Sequence, residues 1–277
     1  MNDMIKLIVS DLDGTLLDHS KKVSPREQAA LKKAKEADMI LCLASGRMNV
    51  EMQQVLEEIG HRAYSLSQNG AFIHLEDGTF LKSELFKPEL AFQVYQLLKE
   101  FDLVKLVCSG EANYITHLTP ASDEVQSRTF RPFILKEDLE PSLRGELPVC
   151  KFSLFGDIQV LLTLKSVMEK QLGDQVELFI SDKDCLDIMP LQVSKGNSLL
   201  VLIEKLGLQP EEVACIGDSF NDVSMFGITP HSFAMKGAHP DVKQQANYQV
   251  ESVAEAIHHI FAYNDKYIAE QKGSTMI

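Results

Sequence analysis

The chain has 277 residues, enough for one large domain or two smaller ones, and 45% of them are apolar, enough for a full-sized hydrophobic core. The formal net charge of -13 argues against a general nucleic-acid-binding protein and against a protein that binds anionic membranes. The opening stretch MNDMIKLIVSD is not typical of a signal peptide, and no apolar run approaches the roughly 20 residues that span a bilayer.

Short apolar runs alternate with amphipathic segments in the first part of the chain. Residues 5–10 (IKLIVS) predict a buried parallel strand, and Ser24 followed by Pro25 predicts the N-cap and first position of a helix that continues through Ala37. Residues 39–45 (MILCLAS) predict the next strand. The helix from Met48 to Ile59 follows and is closed by Gly60.

The middle of the chain carries a different alternation. We call residues 83–189 the insert, and residues 1–82 with 190–277 the core. The insert predicts helices at Pro88–Phe101 and Ile158–Leu172, and strands at LVKLVCS, ANYITHL, VCKFSLFG, QVELFIS and CLDIM. Strand pairs with helices between them indicate an α+β unit, and about a hundred residues can fold as a domain.

The core pattern resumes after the insert, with a helix from Ser194 to Leu206 that ends at Gly207 and a buried strand at residues 212–218. Alternating strands and helices predict an α/β fold whose core is a Rossmann-like, doubly wound parallel sheet. Ligands of such sheets bind outside the carboxyl ends of the strands. Asp11, Ser45 and Asp218 each follow such an end. The polar residues from about 264 onward predict a loosely held tail.

Asp11 and Asp13 follow the first strand with one residue between them. If the strand ended regularly, both carboxylates would face the same side and would repel each other unless a cation lay between them. Mg²⁺ would suit, because it takes oxygen ligands, and a turn at Gly14 would leave backbone N–H groups free for an anion. The spacing also suits a nucleophile beside a proton carrier. A capped strand end with an acidic turn is the alternative.

Two further stretches are typical of anion sites. In residues 44–47 (ASGR), Ser45 and the backbone N–H groups at a helix start can bind an anion, although an ordinary N-cap fits equally well. Lys195 begins a helix, where the helix dipole disfavours a cation. It predicts an anionic neighbour, and a solvated surface lysine is the alternative.

The stretch GDSFND (217–222) places two carboxylates and an amide close together. Asp218 ends a strand, and Asn221 and Asp222 follow one turn later. Groups with this spacing can hold and orient a hard cation. A polar loop between a strand and a helix is the alternative.

Taken together, DLDGTLLD (11–18), ASGR (44–47), SKG (194–196) and GDSFND (217–222) resemble, in this order, the four motifs of the haloacid dehalogenase (HAD) superfamily. The insert resembles the cap domain of its Cof-type subfamily (subclass IIB). The resemblance covers essentially the whole chain. It implies a phosphatase in which Asp11 attacks phosphorus and Asp13 protonates the leaving alcohol and then activates water.

The resemblance also implies a Mg²⁺ cofactor and a set of site residues. The predicted catalytic residues are Asp11, Asp13 and Lys195. The predicted metal-site residues are Asp11, Asp13 through its backbone carbonyl, Asp218, Asn221 and Asp222. The predicted phosphate- or substrate-binding residues are Leu12, Thr15, Ser45, Gly46, Arg47, Asn69, Gly70, Lys195 and Asn221.

Several positions leave alternatives open. The turn at Asn69 and Gly70 can lie near the substrate or be purely structural, and Arg47 can face the substrate or pair with an acid. Gly237 stands where the resembled family usually has Asn. The histidines, including the His258–His259 pair, show no ligand spacing.

The favoured function is a Mg²⁺-dependent phosphatase of small phosphorylated metabolites, such as sugar phosphates or phosphorylated cofactors. The alternatives are a phosphomutase and a non-catalytic phospho-ligand sensor. We expect no nucleic-acid or membrane partner, and a monomer or homodimer. The five cysteines are far apart and form no zinc-like cluster, which predicts buried free thiols in the cytoplasm.

Overall fold

The structure is a computed structural model that describes residues 4–274. The strands of the described chain are β1 (Leu7–Ser10), β2 (Ile40–Ala44), β3 (Tyr64–Ser67), β4 (Phe72–His74), β5 (Phe80–Ser83), β6 (Val104–Cys108), β7 (Asn113–Ile115), β8 (Ile134–Leu135), β9 (Lys151–Phe155), β10 (Val176–Asp182), β11 (Cys185–Pro190), β12 (Val213–Gly217), β13 (His231–Met235) and β14 (Tyr248–Val250). The helices are α1 (Pro25–Glu36), α2 (Asn49–Glu58), α3 (Pro88–Leu98), α4 (Pro120–Gln126), α5 (Glu140–Leu143), α6 (Ile158–Leu172), α7 (Lys195–Leu206), α8 (Val223–Phe226), α9 (Pro240–Lys243) and α10 (Val253–Ser274).

The core contains an eight-stranded sheet in the order β14-β13-β12-β1-β2-β3-β4-β5. The strands from β14 to β3 are parallel, whereas β4 and β5 run antiparallel at one edge. β1 is central, with Val9 opposite Cys215 on one side and Cys42 on the other. The α/β fold with a parallel core sheet is therefore confirmed.

Helices cover both faces of this sheet because its strands are apolar on both sides. Ile8 packs with side chains of α1, α2 and α10, whereas Leu7 and Val9 pack on the other face with α7 and α8. Six parallel strand ends therefore meet at one edge of the sheet, where polar loops can converge.

The predicted ends of the core helices follow their local capping signals. The Ser24 hydroxyl accepts the N–H of Glu27, and Ser194 caps α7 in the same way. Gly207 ends α7 with a left-handed φ of 66°. These boundaries confirm the predictions for both helices.

The second sheet is built from the insert, in the order β10-β11-β9-β6-β7-β8. It is antiparallel except for the β7–β8 pair. Its own apolar cluster includes Val94, Phe152 and Leu161 from α3, β9 and α6. A smaller apolar cluster joins the insert to Phe72 of β4.

The tail predicted from residue 264 onward continues α10 as far as Ser274 and is anchored at Asn264, whereas residues 275–277 lie outside the described residues. The Asn264 side chain accepts the N–H of Ile5 at 2.8 Å and donates to its carbonyl at 2.9 Å. Val253 and Ile260 anchor the earlier turns of the helix in the core. The exposed face of such an amphipathic helix is polar, which is why its sequence resembles a tail.

The five cysteines, all within the described chain, are free and buried, as predicted. Between residues 4 and 274, no helix combines the length and apolar character needed to cross a membrane.

Candidate active site

The carboxylate of Asp11 lies just beyond the carboxyl end of β1 and is held by Lys195. Its Oδ1 accepts a hydrogen bond of 2.6 Å from Nζ of Lys195, the first residue of α7. The same Nζ donates to Asp222 at 2.7 Å. Lys195 is 1% exposed, so the alternative of a solvated surface lysine is wrong. The two carboxylates offset the unfavourable end of the helix dipole.

Three carboxylates, those of Asp11, Asp218 and Asp222, have oxygen atoms within 4.8 Å of one another. Burial raises the pKa of Asp11 well above its usual value, with Asp222 and Asp218 adding to the effect and Lys195 opposing it. Burial and the charge of Asp222 also raise the pKa of Asp218 to about 6. One ammonium group thus faces three carboxylates, and the excess negative charge suits a divalent cation.

Asp222 also stabilises the loop that follows β12. Its second oxygen accepts the backbone N–H groups of Asp218 and Ser219, each at 2.9 Å. The alternative of an ordinary polar loop therefore does not describe this stretch, because Asp222 is completely buried and bonded to Lys195.

The turn after Asp11 brings Thr15 against Asp218. Gly14 has a φ of +78°, and a Cβ at this position would collide with the Asp218 carboxylate, so glycine is needed on both counts. The Thr15 hydroxyl donates to Asp218 at 2.9 Å. The side chain of Leu12 is fully buried in the apolar core, which leaves its backbone as the part that can contact a ligand.

The carboxylate of Asp13 is not part of the three-carboxylate cluster, so the structure does not support the expectation that the carboxylates of Asp11 and Asp13 meet around one cation. β1 ends at Ser10, and the turn that follows breaks the strand alternation. Asp13 instead accepts two hydrogen bonds of 2.6 Å from Nε and Nη2 of Arg47. The predicted metal contact through the backbone carbonyl of Asp13 stays a prediction.

Ser45 follows β2 and turns the chain toward the site. Its hydroxyl accepts the N–H of Arg47 at 3.2 Å, whereas α2 begins at Asn49 with Met48 as its N-cap. The N-cap alternative for Ser45 is therefore wrong, and so is the placement of Ser45 at the helix start. Ser45 and Gly46 line the cavity described below.

Residues 127–130 of the insert, which we call the contact segment, reach the core beside Arg47. The Phe130 ring lies 4.3 Å from the Arg47 guanidinium carbon, and the Phe130 N–H donates to Glu51 at 2.9 Å. Lys21 donates to the Ser127 carbonyl at 2.8 Å. No sequence pattern indicates these contacts, because an aromatic residue in a loop carries no signal of its partner.

A cavity of about 430 Å³ lies between the core and the insert. The core contributes Asp11, Asp13, Ser45, Gly46, Arg47, Asp218 and Asn221 to its lining. The insert contributes residues that include Arg128, Lys151, Ser153, Phe155, Cys185 and Asp187. Lys151 and Asp187 were not predicted as site residues. Their signal is a lone charged residue inside an otherwise apolar strand, a position that is costly unless the charge has a partner.

The turn of Gln68, Asn69 and Gly70 is buried beside the site and is not part of the cavity lining given by residues 4–274. Gln68 and Asn69 both have left-handed backbone angles, with φ of 49° and 55°. Asn69 donates its N–H to the Ser45 carbonyl at 2.9 Å, and Gln68 donates its side chain to the Ser109 carbonyl of the insert. The contacts favour the structural alternative for this turn.

Asn221 lines the cavity, and its Nδ2 donates to Asn69 at 3.0 Å. Its Oδ1 is buried and finds no hydrogen-bond partner among the described residues. Gly237 is exposed, and a Cβ there would contact nothing within 4 Å, so the backbone would accept the Asn usual in the resembled family.

Comparison with known proteins gives four findings. Residues 8–260 match the sequence model of a family described as haloacid dehalogenase-like hydrolase. The chain is 29% identical over 242 residues to the HMP-PP phosphatase of Klebsiella pneumoniae (strain 342), covering 87% of this chain and 88% of the relative. A haloacid dehalogenase-like hydrolase from Bacteroides thetaiotaomicron superposes with a TM-score of 0.80 at 29% identity, over 92% of this chain and 99% of that one.

The fold is also similar to that of the HAD subclass IIB sugar phosphatase BT4131. The TM-score is 0.79 at 16% identity, over 92% of this chain and 98% of that chain.

Proposed function

This chain belongs to the haloacid dehalogenase-like hydrolases and is a phosphatase, and we propose that it hydrolyses small phosphorylated metabolites through a phosphorylated Asp11 with Mg²⁺ as cofactor. The observation that carries the proposal is the position of Asp11. Its carboxylate lines the cavity, is bonded to Lys195 and belongs to a cluster of three carboxylates.

The reaction has two displacements at phosphorus. An oxygen of Asp11 attacks, the bond from phosphorus to the leaving oxygen breaks, and Asp13 gives that oxygen a proton. Water then attacks the same phosphorus and passes a proton to Asp13. The bond to Asp11 breaks, and phosphate leaves. Lys195 and the Ser45 hydroxyl hold the phosphoryl oxygens, so that charge developing on them is stabilised.

Asp13 needs a proton to give, so Arg47 must release one of its oxygens, which then takes up a proton from solvent before the first displacement. In the structure, both oxygens of Asp13 accept hydrogen bonds from Arg47. An anionic oxygen of the substrate can compete for the guanidinium, which donates strongly to phosphate. Arg47 then has both of its predicted roles, as the partner of an acid and as a substrate contact.

The donor set fits Mg²⁺, which prefers oxygen ligands. Asp11 and Asp218 offer carboxylate oxygens, and Asn221 offers an Oδ1 that finds no partner within residues 4–274. The ion would neutralise charge on the transferring phosphoryl group. Asp222 would support the site by holding Lys195 and the N–H groups of Asp218 and Ser219.

We assign the insert the role of a cap that sets specificity. Asp11, Asp13, Asp218 and Lys195 belong to the core, whereas Arg128 and Phe155 face the other side of the cavity. A cavity of about 430 Å³ suits a small metabolite rather than a polymer. Closure of the insert would exclude water and contact the leaving group.

Two substrate classes follow from the comparisons, namely HMP-PP, named for the relative, and sugar phosphates, named for the structural neighbour. Phosphomutase activity is the second candidate, and an assay with a bisphosphate activator would separate it from hydrolysis. Buried free thiols support a cytoplasmic location. A monomer or homodimer without nucleic-acid or membrane partners completes the proposal.

The test is a panel of phosphorylated metabolites that includes HMP-PP and sugar phosphates, assayed with and without metal. EDTA should abolish phosphate release and Mg²⁺ should restore it, whereas Ca²⁺ should inhibit because its looser coordination misplaces the reacting oxygens. Full activity in EDTA would refute the metal role of Asp218. Phosphate release from none of the substrates would refute the substrate class.

A further inference from the structure

A chain of buried hydrogen bonds connects the insert to Asn221. The Ser153 hydroxyl donates to Oδ1 of Asp187 at 2.5 Å. Oδ2 of Asp187 accepts from Nδ2 of Asn69 at 2.7 Å, across the boundary between insert and core. Oδ1 of Asn69 then accepts from Nδ2 of Asn221 at 3.0 Å. All four side chains are less than 8% exposed.

The donor-to-acceptor direction of these hydrogen bonds follows from the Asp187 carboxylate. An ionised carboxylate has acceptors only, so each group that bonds to Asp187 must donate. Asn69 therefore presents its NH₂ group to Asp187 and its oxygen to Asn221. Asn221 must in turn present its NH₂ group to Asn69. Its own oxygen is then directed elsewhere, and it is the buried Oδ1 that finds no partner in the described chain.

Lys151 provides the positive charge that accompanies Asp187. Its Nζ lies 3.8 Å from the Asp187 carboxylate and donates to the Gly46 carbonyl at 2.7 Å. Lys151 is 5% exposed and Asp187 is 3% exposed, so neither charge is well hydrated. With its charge compensated by Lys151, the Asp187 carboxylate serves as a buried hydrogen-bond acceptor beside Asn69 when the insert covers the core.

We propose that Asp187 is a positioning residue of the phosphatase, which acts through Asn69 to orient the Asn221 amide with its oxygen available to the metal site. This inference rests on the proposed role of Asn221 in supporting Mg²⁺. The insert would then have a second role besides contacting the leaving group, because its closure would orient Asn221 and so complete the set of oxygen ligands for Mg²⁺. Without the insert, the Asn221 amide can turn either way, and its NH₂ group would repel a cation.

The central experiment compares two substitutions at one position. Asp187→Leu removes the acceptor and the charge, whereas Asp187→Asn removes the charge but can still present an oxygen to Asn69. Mg²⁺ affinity is measured by titration calorimetry without substrate, and kcat and KM are measured with p-nitrophenyl phosphate. We expect Asp187→Leu to lose about 10- to 100-fold in Mg²⁺ affinity and in kcat, because Asn69 is then no longer held as the partner of Asn221, and losing the partner that orients a metal ligand usually costs this much. Asp187→Asn should retain most of both.

Two further variants complete the design. Asn69→Gly suits the left-handed backbone and breaks the chain from the core side, so it should reproduce the loss and should add nothing to Asp187→Leu. Asp157→Asn is the matched control, because Asp157 is a carboxylate of the insert that caps α6. It should behave as the unchanged protein in both assays. Circular dichroism verifies the fold of each variant.

The outcomes are distinct. Equal losses in Asp187→Asn and Asp187→Leu would overturn the proposal, because they would trace the effect to charge alone. Unchanged Mg²⁺ affinity in folded Asn69→Gly would overturn it as well, even if Asp187→Leu failed to fold. An unchanged protein that binds no Mg²⁺ would overturn the proposed function and this inference together. Metal binding that is equal in all folded variants would overturn only the inference.

Discussion

Lys195 is charged although it is almost completely buried, so its charge has to be compensated by its two carboxylate partners. Burial alone would lower its pKa, but Asp11 and Asp222 raise the pKa above its usual value, so the ammonium stays charged. Removing one partner of a buried pair leaves an uncompensated charge. Lys195 therefore depends on two carboxylates from distant parts of the chain, and each of them has a further role in the site.

Asp11→Asn tests the nucleophile while preserving the size of the side chain. We expect turnover to fall by at least about 10⁴-fold, because the amide cannot form the covalent intermediate. The metal-free variant should still fold, because Asp222 keeps its hydrogen bond to Lys195, but it should melt at a lower temperature, since the buried ammonium loses one of its two charged partners. Phosphate release and thermal melting provide the two measurements.

Labelling identifies the same residue directly. Trapping the phosphorylated protein, followed by mass spectrometry, should find the modification on Asp11. A phosphoryl group on another residue would contradict the assignment. Asp241→Asn, an exposed carboxylate in the first turn of α9, serves as the control and should leave turnover unchanged.

The buried side chain of His231 should make the stability of the protein depend on pH. Burial lowers its pKa, and its Nε2 finds no partner among the residues described. The unfolded chain therefore binds a proton at a higher pH than the folded chain does. Stability should fall as the pH decreases below about 6.5, the usual value for histidine. Melting temperatures between pH 8 and 5 should decrease less steeply for His231→Gln. Equal slopes for both proteins would contradict this prediction.

At the scale of elements, the contact segment (127–130) holds part of the insert against the core. Phe130→Ala removes the ring that packs on Arg47. An interaction of a cation with an aromatic ring contributes about 0.5 to 2 kcal/mol, so kcat/KM should fall by roughly 2- to 30-fold. Steady-state kinetics on the best metabolite measures the effect.

Leu135→Ala is the control for this variant, because Leu135 lies on β8 of the insert and is 48% exposed. It should leave kcat/KM unchanged. If Phe130→Ala behaved in the same way as Leu135→Ala, the contact between Phe130 and Arg47 would have no part in closure.

The elements differ in how far the sequence predicts them. The helix ends at Ser24 and Gly207 were predictable, because caps act over a few residues. The direction of Asp13 was not, because it depends on a turn and on Arg47. The bonds of Asn69 to Asp187 and Asn221 join residues more than a hundred positions apart, and no local pattern encodes them.

For the molecule as a whole, the insert should control specificity more than reactivity. Replacing it with a short Gly/Ser linker should leave slow hydrolysis of a small activated aryl phosphate. The loss in kcat/KM should be far greater for the best metabolite, because binding energy remote from the reacting group is gone. Phosphate release from both substrates tests this expectation.

The fold of the truncated protein needs its own control. Phe72 of β4 packs against the insert and would become exposed, so Phe72→Ser should be added to keep the core soluble. Circular dichroism and melting report whether the core survives. A folded core that cleaves both substrates with unchanged kcat/KM would contradict a cap role for the insert.

The central position of β1 determines when the enzyme can be completed during synthesis. Val9 of β1 lies opposite Cys215 of β12, so β1 cannot pair with β12 until the ribosome has synthesised the whole insert and β12. The insert has its own contiguous core and can fold earlier, since domains fold as units during translation. Asp11 precedes the insert in the chain, and Asp218 follows it. A chain that is still being synthesised can therefore contain a folded insert, but it has no complete active site that could react with phosphorylated metabolites.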